Sequence, residues 1–477
     1  MSNAGNTTAE QPGQKKPQIV FDSKKTPYTL RQNIGAGGQG MVLTTDQPNI
    51  VVKISDPLNE TQLTLRRSQI MNVMRANLRD LKIARPLDML LLKNRIGYVM
   101  ELMDGLIPLQ TVIENAAVIN NDGCVDLAAY RSTGGLKRRI LILRELAETL
   151  AKLHGRGMAY GDLSPSNVFV SESVEHHQVW LIDADNISIH ESYGSSHLHT
   201  PNYAAPELVR GESGSNIWTD CWSFAVIALQ LLTHTHPFDS GVAVADADPD
   251  DALNKANKGL FPWIFDQEDD SNAWTGSGLP LEDLVSHQIM VLFHRCFGSS
   301  RAYEGLAERP TMSEWHLVLH RASQMILTCD GADCGMSFFY NKFQKCPFCD
   351  QELDANNYLI LNHYMYDTMP EQPQKNEWIA TSERVVINIG ETKSLYHEPY
   401  SFLDLDLLQP WCQLTLTNEG LYFQPQAGKY VRLNEVDVLS RGYLLTKEQK
   451  RQTGHCVLER STRDQTHPMY PAWRFNW

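Results

Sequence analysis

The 477-residue chain has no run of 18 or more apolar residues. A bilayer-crossing helix needs about 20 of them, so no membrane span is expected. The start, Met1 to Gln18, is polar and lacks the apolar centre of a secretory leader, and the first residues read as a disordered tail. Basic charge is also scarce. There are 42 Lys and Arg against 56 Asp and Glu, a formal net charge of −14. A nucleic-acid reader usually carries a basic face, so no nucleic-acid partner is expected. The acidity favours solubility and a basic or neutral protein partner. A secreted disulfide framework is missing as well. Five of the nine cysteines are scattered, at Cys124, Cys221, Cys296, Cys412 and Cys456, which fits a reducing cytoplasm. Hydrophobic content of 42% is that of a globular protein, and the length predicts two to three domains.

What is present is a series of short patterns in a fixed order. Ile34 to Val42 reads G-x-G-x-x-G-x-V, with an extra glycine at Gly38. Glycines let a backbone approach phosphates with no Cβ in the way. A flexible turn or a dinucleotide-binding turn would also be glycine-rich. The latter opens directly into a helix, whereas here a β-like run, Met41 to Leu43, a polar turn and an apolar strand, Asn49 to Ile54, follow. Lys53 lies near the end of that strand. Further on, Asp162 and Asn167 stand with four residues between them in Met158–Asn167, and Val179–Asp183 is an apolar strand ending in a carboxylate. Then come Thr200-Pro-Asn-Tyr-Ala-Ala-Pro-Glu207, Asp220-Cys-Trp-Ser-Phe224 and Arg309-Pro310.

In this order the patterns resemble the eukaryotic-type Ser/Thr protein kinase family from about residue 27 to 327. The resemblance implies an α+β, bilobal kinase-like fold that uses ATP and Mg2+. It casts Asp162 as the acceptor of the substrate hydroxyl's proton, Lys53 as the contact to the α/β-phosphates, and Asn167 and Asp183 as magnesium ligands. Gly35, Gly37, Gly38, Gly40 and Val42 would cap the nucleotide. Met100 would be the gatekeeper, and the backbones of Glu101 and Met103 would bond adenine. Thr200 would lie near Asp162 and favour Ser/Thr substrates, Glu207 would pair with Arg309, and Asp220 would brace the loop of Asp162. Gly161-Asp-Leu-Ser-Pro-Ser-Asn167 with Leu181-Ile-Asp-Ala-Asp-Asn186 is similar to the bacterial kinases of tellurite-resistance-type TerY-phosphatase-kinase triads. That likeness implies a PP2C-type phosphatase and a von Willebrand A domain protein as partners.

Several letters depart from the family. Tyr160-Gly161-Asp162 replaces H-R-D, so no switching through an Arg–phosphate contact is expected. Ser164 stands where a Lys helps neutralise the γ-phosphate. Asp183-Ala184-Asp185 replaces D-F-G; Asp185 adds a second negative charge that could assist metal binding or be a solvated loop residue, and the latter is the favoured reading. The helix expected over Thr61 to Asn77 contains no acidic residue to pair with Lys53. Glu60 at its start, Gln69 and Asn72 are the candidates. These departures support a competing reading, a nucleotide-binding pseudokinase scaffold. Ser192, Tyr193, Ser195 and Ser196 are possible phosphate acceptors.

The domain reading is a tail over 1–26, an N-lobe over 27–103 and a C-lobe over 104–327 with an acidic insertion at 239–280. The aromatic island Leu260–Phe265 within the insertion is expected to pack on the lobe. Cys329-x4-Cys334 and Cys346-x2-Cys349 over 328–352 have zinc-ribbon spacing. Four thiolates would close a tetrahedron around a structural Zn2+; two disulfides or free thiols are the alternatives. Alternating patterns at Glu383–Ile389, Gln413–Thr417, Gly420–Gln424 and Tyr430–Leu433 predict a small all-β module over 353–477.

Overall fold

The computed structural model describes residues 18–37, 40–120, 125–189, 199–245, 248–276, 278–298, 309–340, 345–368, 378–396, 410–438, 440–449, 454–459 and 469–477. Gly38, Cys124 and the serines and tyrosine of 192–196 lie outside the described residues. The chain forms two compact units. One comprises the chain up to Leu106 together with Leu181–Ser188, and the other comprises Ile107–Trp180 and the chain from Ile189 onward.

The first unit is built on a five-stranded antiparallel sheet of Asn33–Gly37, Gly40–Thr44, Ile50–Ile54, Gly97–Glu101 and Asp88–Met89, in that spatial order. Ile50-Val-Val-Lys-Ile54 is β-branched at four of its five positions and takes the centre, buried on both faces. Val52 and Ile54 pack to one side with Val20, Tyr28 and Val99, while Val51 packs to the other with Ile70, Tyr98 and Met100. Lys53 sits opposite Val42 and Tyr98 in the register. The helix Glu60–Arg75 starts at a capping box in which Asn59 and Gln62 satisfy each other's backbone donors. It buries only Ile70 and Val73. The stretch 1–26 expected as a tail contains a strand. Ile19–Phe21 pairs with Pro27–Thr29, and the Asp22 carboxylate accepts the backbone N–H groups of Lys24 and Thr26 between them.

The second unit is helical before the cysteines and β-rich after them. Helix Gly135–His154 buries one long face, and Ile217–Thr233 is apolar almost all round and buried everywhere except Ile217, Trp218 and Gln230. Arg139 joins the two. Its guanidinium is fully buried, lies 3.8 Å over the Tyr130 ring and donates to the carbonyls of Leu231 and Gly135. Cations at a helix C-terminus are favoured by the helix dipole. Within the 239–280 stretch, Trp263 and Ile264 are buried, with Trp263 against Phe297 and His294. Helix Met312–Ser323 begins with a Thr311/Glu314 capping box.

Beyond it, Ile326–Thr328 and Ser337–Phe339 form a two-stranded hairpin. The hairpin is tied to the start of helix Gly135–His154. Lys137 N–H donates to Ser337 Oγ at 3.1 Å, and Arg131 donates to the carbonyls of Asp333 and Cys334. The later strands make a six-stranded and a four-stranded sheet. Leu361, Val385, Trp473 and Phe475 of the first meet Leu414, Leu421 and Phe423 of the second in one core. Lys137–Glu391 at 2.8 Å and Arg321–Glu383 at 2.5 Å connect these strands to the helices.

Candidate active site

In the first unit the site is organised by Lys53. Its side chain is 7% exposed, so its ammonium must find carboxylates rather than water. It finds two. Asp183 Oδ1 lies 3.0 Å from Nζ, and Asp185 Oδ2 lies 3.4 Å away. Burial alone would pull the Lys53 pKa down, but Asp185 and Asp183 outweigh it and leave the ammonium raised above its usual value. Asp183 holds a left-handed backbone, φ 55°, and Ala184–Asn186 turn immediately into one 3-10 turn. That abrupt turn brings the third residue of Asp-Ala-Asp back toward the lysine.

Asp185 therefore differs from the solvated loop residue expected of it. It is 5% exposed, and both its oxygens face Lys53. The helix Glu60–Arg75 takes no part in pairing the lysine. Glu60 and Asn72 are exposed and Gln69 is half-buried. The helix offers instead a cation, with Arg66 Nη1 3.3 Å from Asn186 Oδ1. The sequence signal for Asp185 is indirect: a second Asp stands two residues after Asp183, in a chain whose helix carries its one acid, Glu60, at the first position.

The glycine turn is an antiparallel pairing of Asn33–Gly37 with Gly40–Thr44, with Gly35 opposite Val42. Gly40 is required by the backbone itself. Its φ is +136°, and a Cβ there would stand 2.2 Å from the Ile54 carbonyl oxygen. Gly35 is less constrained, since a Cβ would meet Val42 at an ordinary 3.8 Å. Met100 is buried, Glu101 ends its strand exposed, and half-buried Met103 follows where the chain leaves the sheet.

In the second unit the site is organised by Asp162. Thr200 Oγ1 donates to Asp162 Oδ1 at 2.7 Å. Asn167 Nδ2 donates to the Asp162 carbonyl at 2.9 Å. The amide nitrogen is spent in this way, which leaves the Asn167 carbonyl oxygen for a cation. Asp220, buried near the start of helix Ile217–Thr233, accepts the N–H of Tyr160 at 2.7 Å and of Gly161 at 2.9 Å. Its Oδ2 also meets His154 Nε2 at 3.0 Å. Gly161 has φ +91°, a conformation an L side chain rarely adopts. This gives a physical reason for the missing Arg: the loop turns at that residue. Ser164 is buried, with no hydrogen-bond partner for Oγ among the described residues. Glu207 and Arg309 form a two-pronged pair at 2.7 and 3.0 Å.

The four clustered cysteines come together, with all Sγ atoms within 4.8 Å of one another. Cys329–Cys349 and Cys334–Cys346 are 3.6 and 3.7 Å apart. Sulfurs around one tetrahedral zinc stand about 3.8 Å apart, given a Zn–S bond of about 2.3 Å. Gly335 after Cys334 and Asp350 after Cys349 both have positive φ, 59° and 58°. The two knuckles therefore turn alike despite their unequal spacing. The donor set fits a closed, four-sulfur metal site.

The family of the protein kinase domain matches residues 28–297, more than half of the chain. Serine/threonine-protein kinase pkn2 of Myxococcus xanthus is 34% identical over 109 residues, 21% of this chain and 13% of that protein. Calcium-dependent protein kinase 5 of Plasmodium berghei is 30% identical over 146 residues, 30% of this chain and 24% of its own length. Serine/threonine-protein kinase PknG of Mycolicibacterium smegmatis is 36% identical over 107 residues, 21% and 13%. The chain thus spans less than a quarter of each of these relatives. With the glycine hairpin, the buried lysine and the braced Asp162 loop in place, the chain belongs to the protein kinase family.

Proposed function

We propose that this protein is an ATP- and magnesium-dependent serine/threonine protein kinase that phosphorylates itself or a partner protein. The observation that carries the reading is Asp162, held by Asn167 and braced through Asp220, with a hydroxyl already 2.7 Å from its Oδ1. A carboxylate so placed orients a serine or threonine hydroxyl and takes its proton as the oxygen attacks phosphorus. Lys53 would hold the α/β-phosphates beneath the glycine hairpin. The Asp183 carboxylate and the Asn167 carbonyl are the hard oxygen donors that suit magnesium. Bound there, the ion would neutralise charge on the phosphates. Most of the rate would come from positioning and electrostatics, since a loose phosphoryl transition state asks little covalent help.

From the resemblance of Gly161–Asn167 and Leu181–Asn186 to the kinases of TerY-phosphatase-kinase triads, the setting we propose is a cytoplasmic kinase–phosphatase system, with a PP2C-type phosphatase and a von Willebrand A domain protein as partners. The cysteine cluster would hold a structural zinc that fastens the C-terminal strands to the helices.

Phosphate transfer from labelled ATP tests the reading. The native chain should transfer phosphate, and Asp162→Ala should lower the rate by about 100-fold or more. Asp183→Ala should abolish transfer with magnesium present. A native chain that binds ATP without transferring phosphate would sink the kinase reading and leave a nucleotide-binding scaffold.

A further inference from the structure

We infer that Asp185 is the positioning residue for Lys53, a role that helix Glu60–Arg75 does not fill because its one acid stands at its exposed first position. The inference rests on the kinase reading and extends it. A buried lysine that must hold phosphates needs a permanent carboxylate partner to fix its ammonium. Glu60 is the helix's one acid, and it lies exposed at the first position. Asp183 is near, but a carboxylate that binds magnesium is not free to serve the lysine as well. Asp185 solves both problems. It is buried, and both oxygens stand 3.4 Å from Lys53 Nζ. It is also held in a turn that follows Asp183 directly. The clamp is therefore local to the loop and does not depend on where helix Glu60–Arg75 lies.

Magnesium–ATP affinity and the kcat against KM split should be measured for Asp185→Asn, Asp185→Gly and Glu60→Gln. Asp185→Asn is nearly isosteric, and Asp185→Gly carries the residue of the D-F-G pattern. Both should weaken ATP binding and lower kcat/KM by about tenfold or more, the size of a lost charge-assisted bond. Glu60→Gln should stay within about twofold of the native chain. Asp185 variants that fold and bind ATP like the native chain would overturn the assignment. So would failure of both to fold, which would make Asp185 a structural residue. Absent phosphate transfer by the native chain fails the kinase reading alone, because ATP affinity still decides Asp185.

A separate observation carries a second site. We propose that the outer face of the C-terminal six-stranded sheet binds a phosphorylated serine or threonine side chain. Asn362 stands opposite Arg474 on one neighbouring strand and Arg384 on the other. Both arginines line a cavity of about 530 Å³ together with His455, Tyr340 and Tyr364, and no Asp or Glu among the described residues lines it. Neither arginine has a carboxylate partner among the described residues. Arg384 Nε donates to Asn362 Oδ1 at 2.7 Å, and Arg474 Nε is buried without an acceptor. The Arg474 guanidinium lies 5.0 Å over Tyr364 and 4.6 Å over Trp378, and Arg384 lies 5.4 Å over Tyr340. Aromatic rings hold the planar groups in place and leave their N–H edges for an anion. Two guanidiniums flanking one concavity match the fork geometry of a phosphate. In a chain of net charge −14, two unneutralised arginines on one row argue for an anionic visitor.

Fluorescence polarisation would compare degenerate peptides centred on phosphoserine or phosphothreonine with their unphosphorylated forms. A preference of about tenfold or more is expected for the phosphorylated peptides, lost in Arg384→Ala and in Arg474→Lys. Arg384→Ala is an exposed change that leaves the core intact. Equal binding of both peptide forms would overturn the proposal. A preference that survives both substitutions would overturn it too.

Discussion

Glu207 and Arg309, 102 residues apart in the chain, meet in a buried, two-pronged ion pair with N–O distances of 2.7 and 3.0 Å. The guanidinium is wholly enclosed and lies 4.8 Å over the Trp222 ring. Burial opposes its charge, but Glu207 more than compensates and holds the Arg309 pKa above its usual value. Removing one partner leaves the other charge buried and alone. Arg309→Ala or Glu207→Ala should therefore cost about 3–5 kcal/mol in urea unfolding. A loss under about 1 kcal/mol would show that water reaches the orphaned charge.

Gly161 predicts the fate of an apparently conservative repair. Arginine at this position would restore the H-R-D letters. Yet the residue sits at φ +91° with its N–H committed to Asp220. A side chain there costs roughly 1–2 kcal/mol of backbone strain. Gly161→Arg should thus lower both thermal stability and phosphate transfer. Gain of activity in the variant would refute the backbone explanation.

Two histidines set an acid limit on stability. Burial, reinforced by Arg139, pushes His234 down from 6.5 to about 4, and neither ring nitrogen has a partner among the described residues. Burial, with Arg144 and other cations nearby, pushes His320 down to about 3. Both are protonated more readily in the unfolded chain than in the folded one. Their contribution is full above about pH 6.5 and is lost as pH falls from there toward 4. Each should add up to about 1.4 kcal/mol per pH unit to the slope. Urea midpoints at pH 7 and pH 5 measure it. His234→Asn, which tolerates the left-handed backbone at φ 58°, should flatten the slope by about one proton.

The cysteine cluster predicts one tightly held zinc per chain by elemental analysis. The hairpin it closes also anchors to Arg131 and Lys137. Chelation, or Cys346→Ser at the buried corner, should therefore lower the melting temperature of the helical part as well as the C-terminal strands. A metal-free chain with unchanged melting would remove zinc from the structure's support.

Much of this molecule is written locally. The glycine run, the strand that carries Lys53, the spacing of Asp162 to Asn167 and the two cysteine pairs are all short-range patterns. Residue chemistry and period alone mark them. Other features depend on contacts between distant residues. Ile19–Phe21 looked like tail because three residues make no strand until Pro27–Thr29 lies beside them. Asp185 looked solvated because nothing in a loop sequence reports a lysine 132 residues away. Only the fold places a buried ammonium there and withholds a helix carboxylate. The row Arg384–Asn362–Arg474 joins three strands, two of them far apart in sequence, so no local pattern could assemble it. Sequence alone determined which chemical groups this protein carries and in what order. Tertiary structure decided which charges share one desolvated space, because burial makes each charge depend on neighbours that the linear chain does not name.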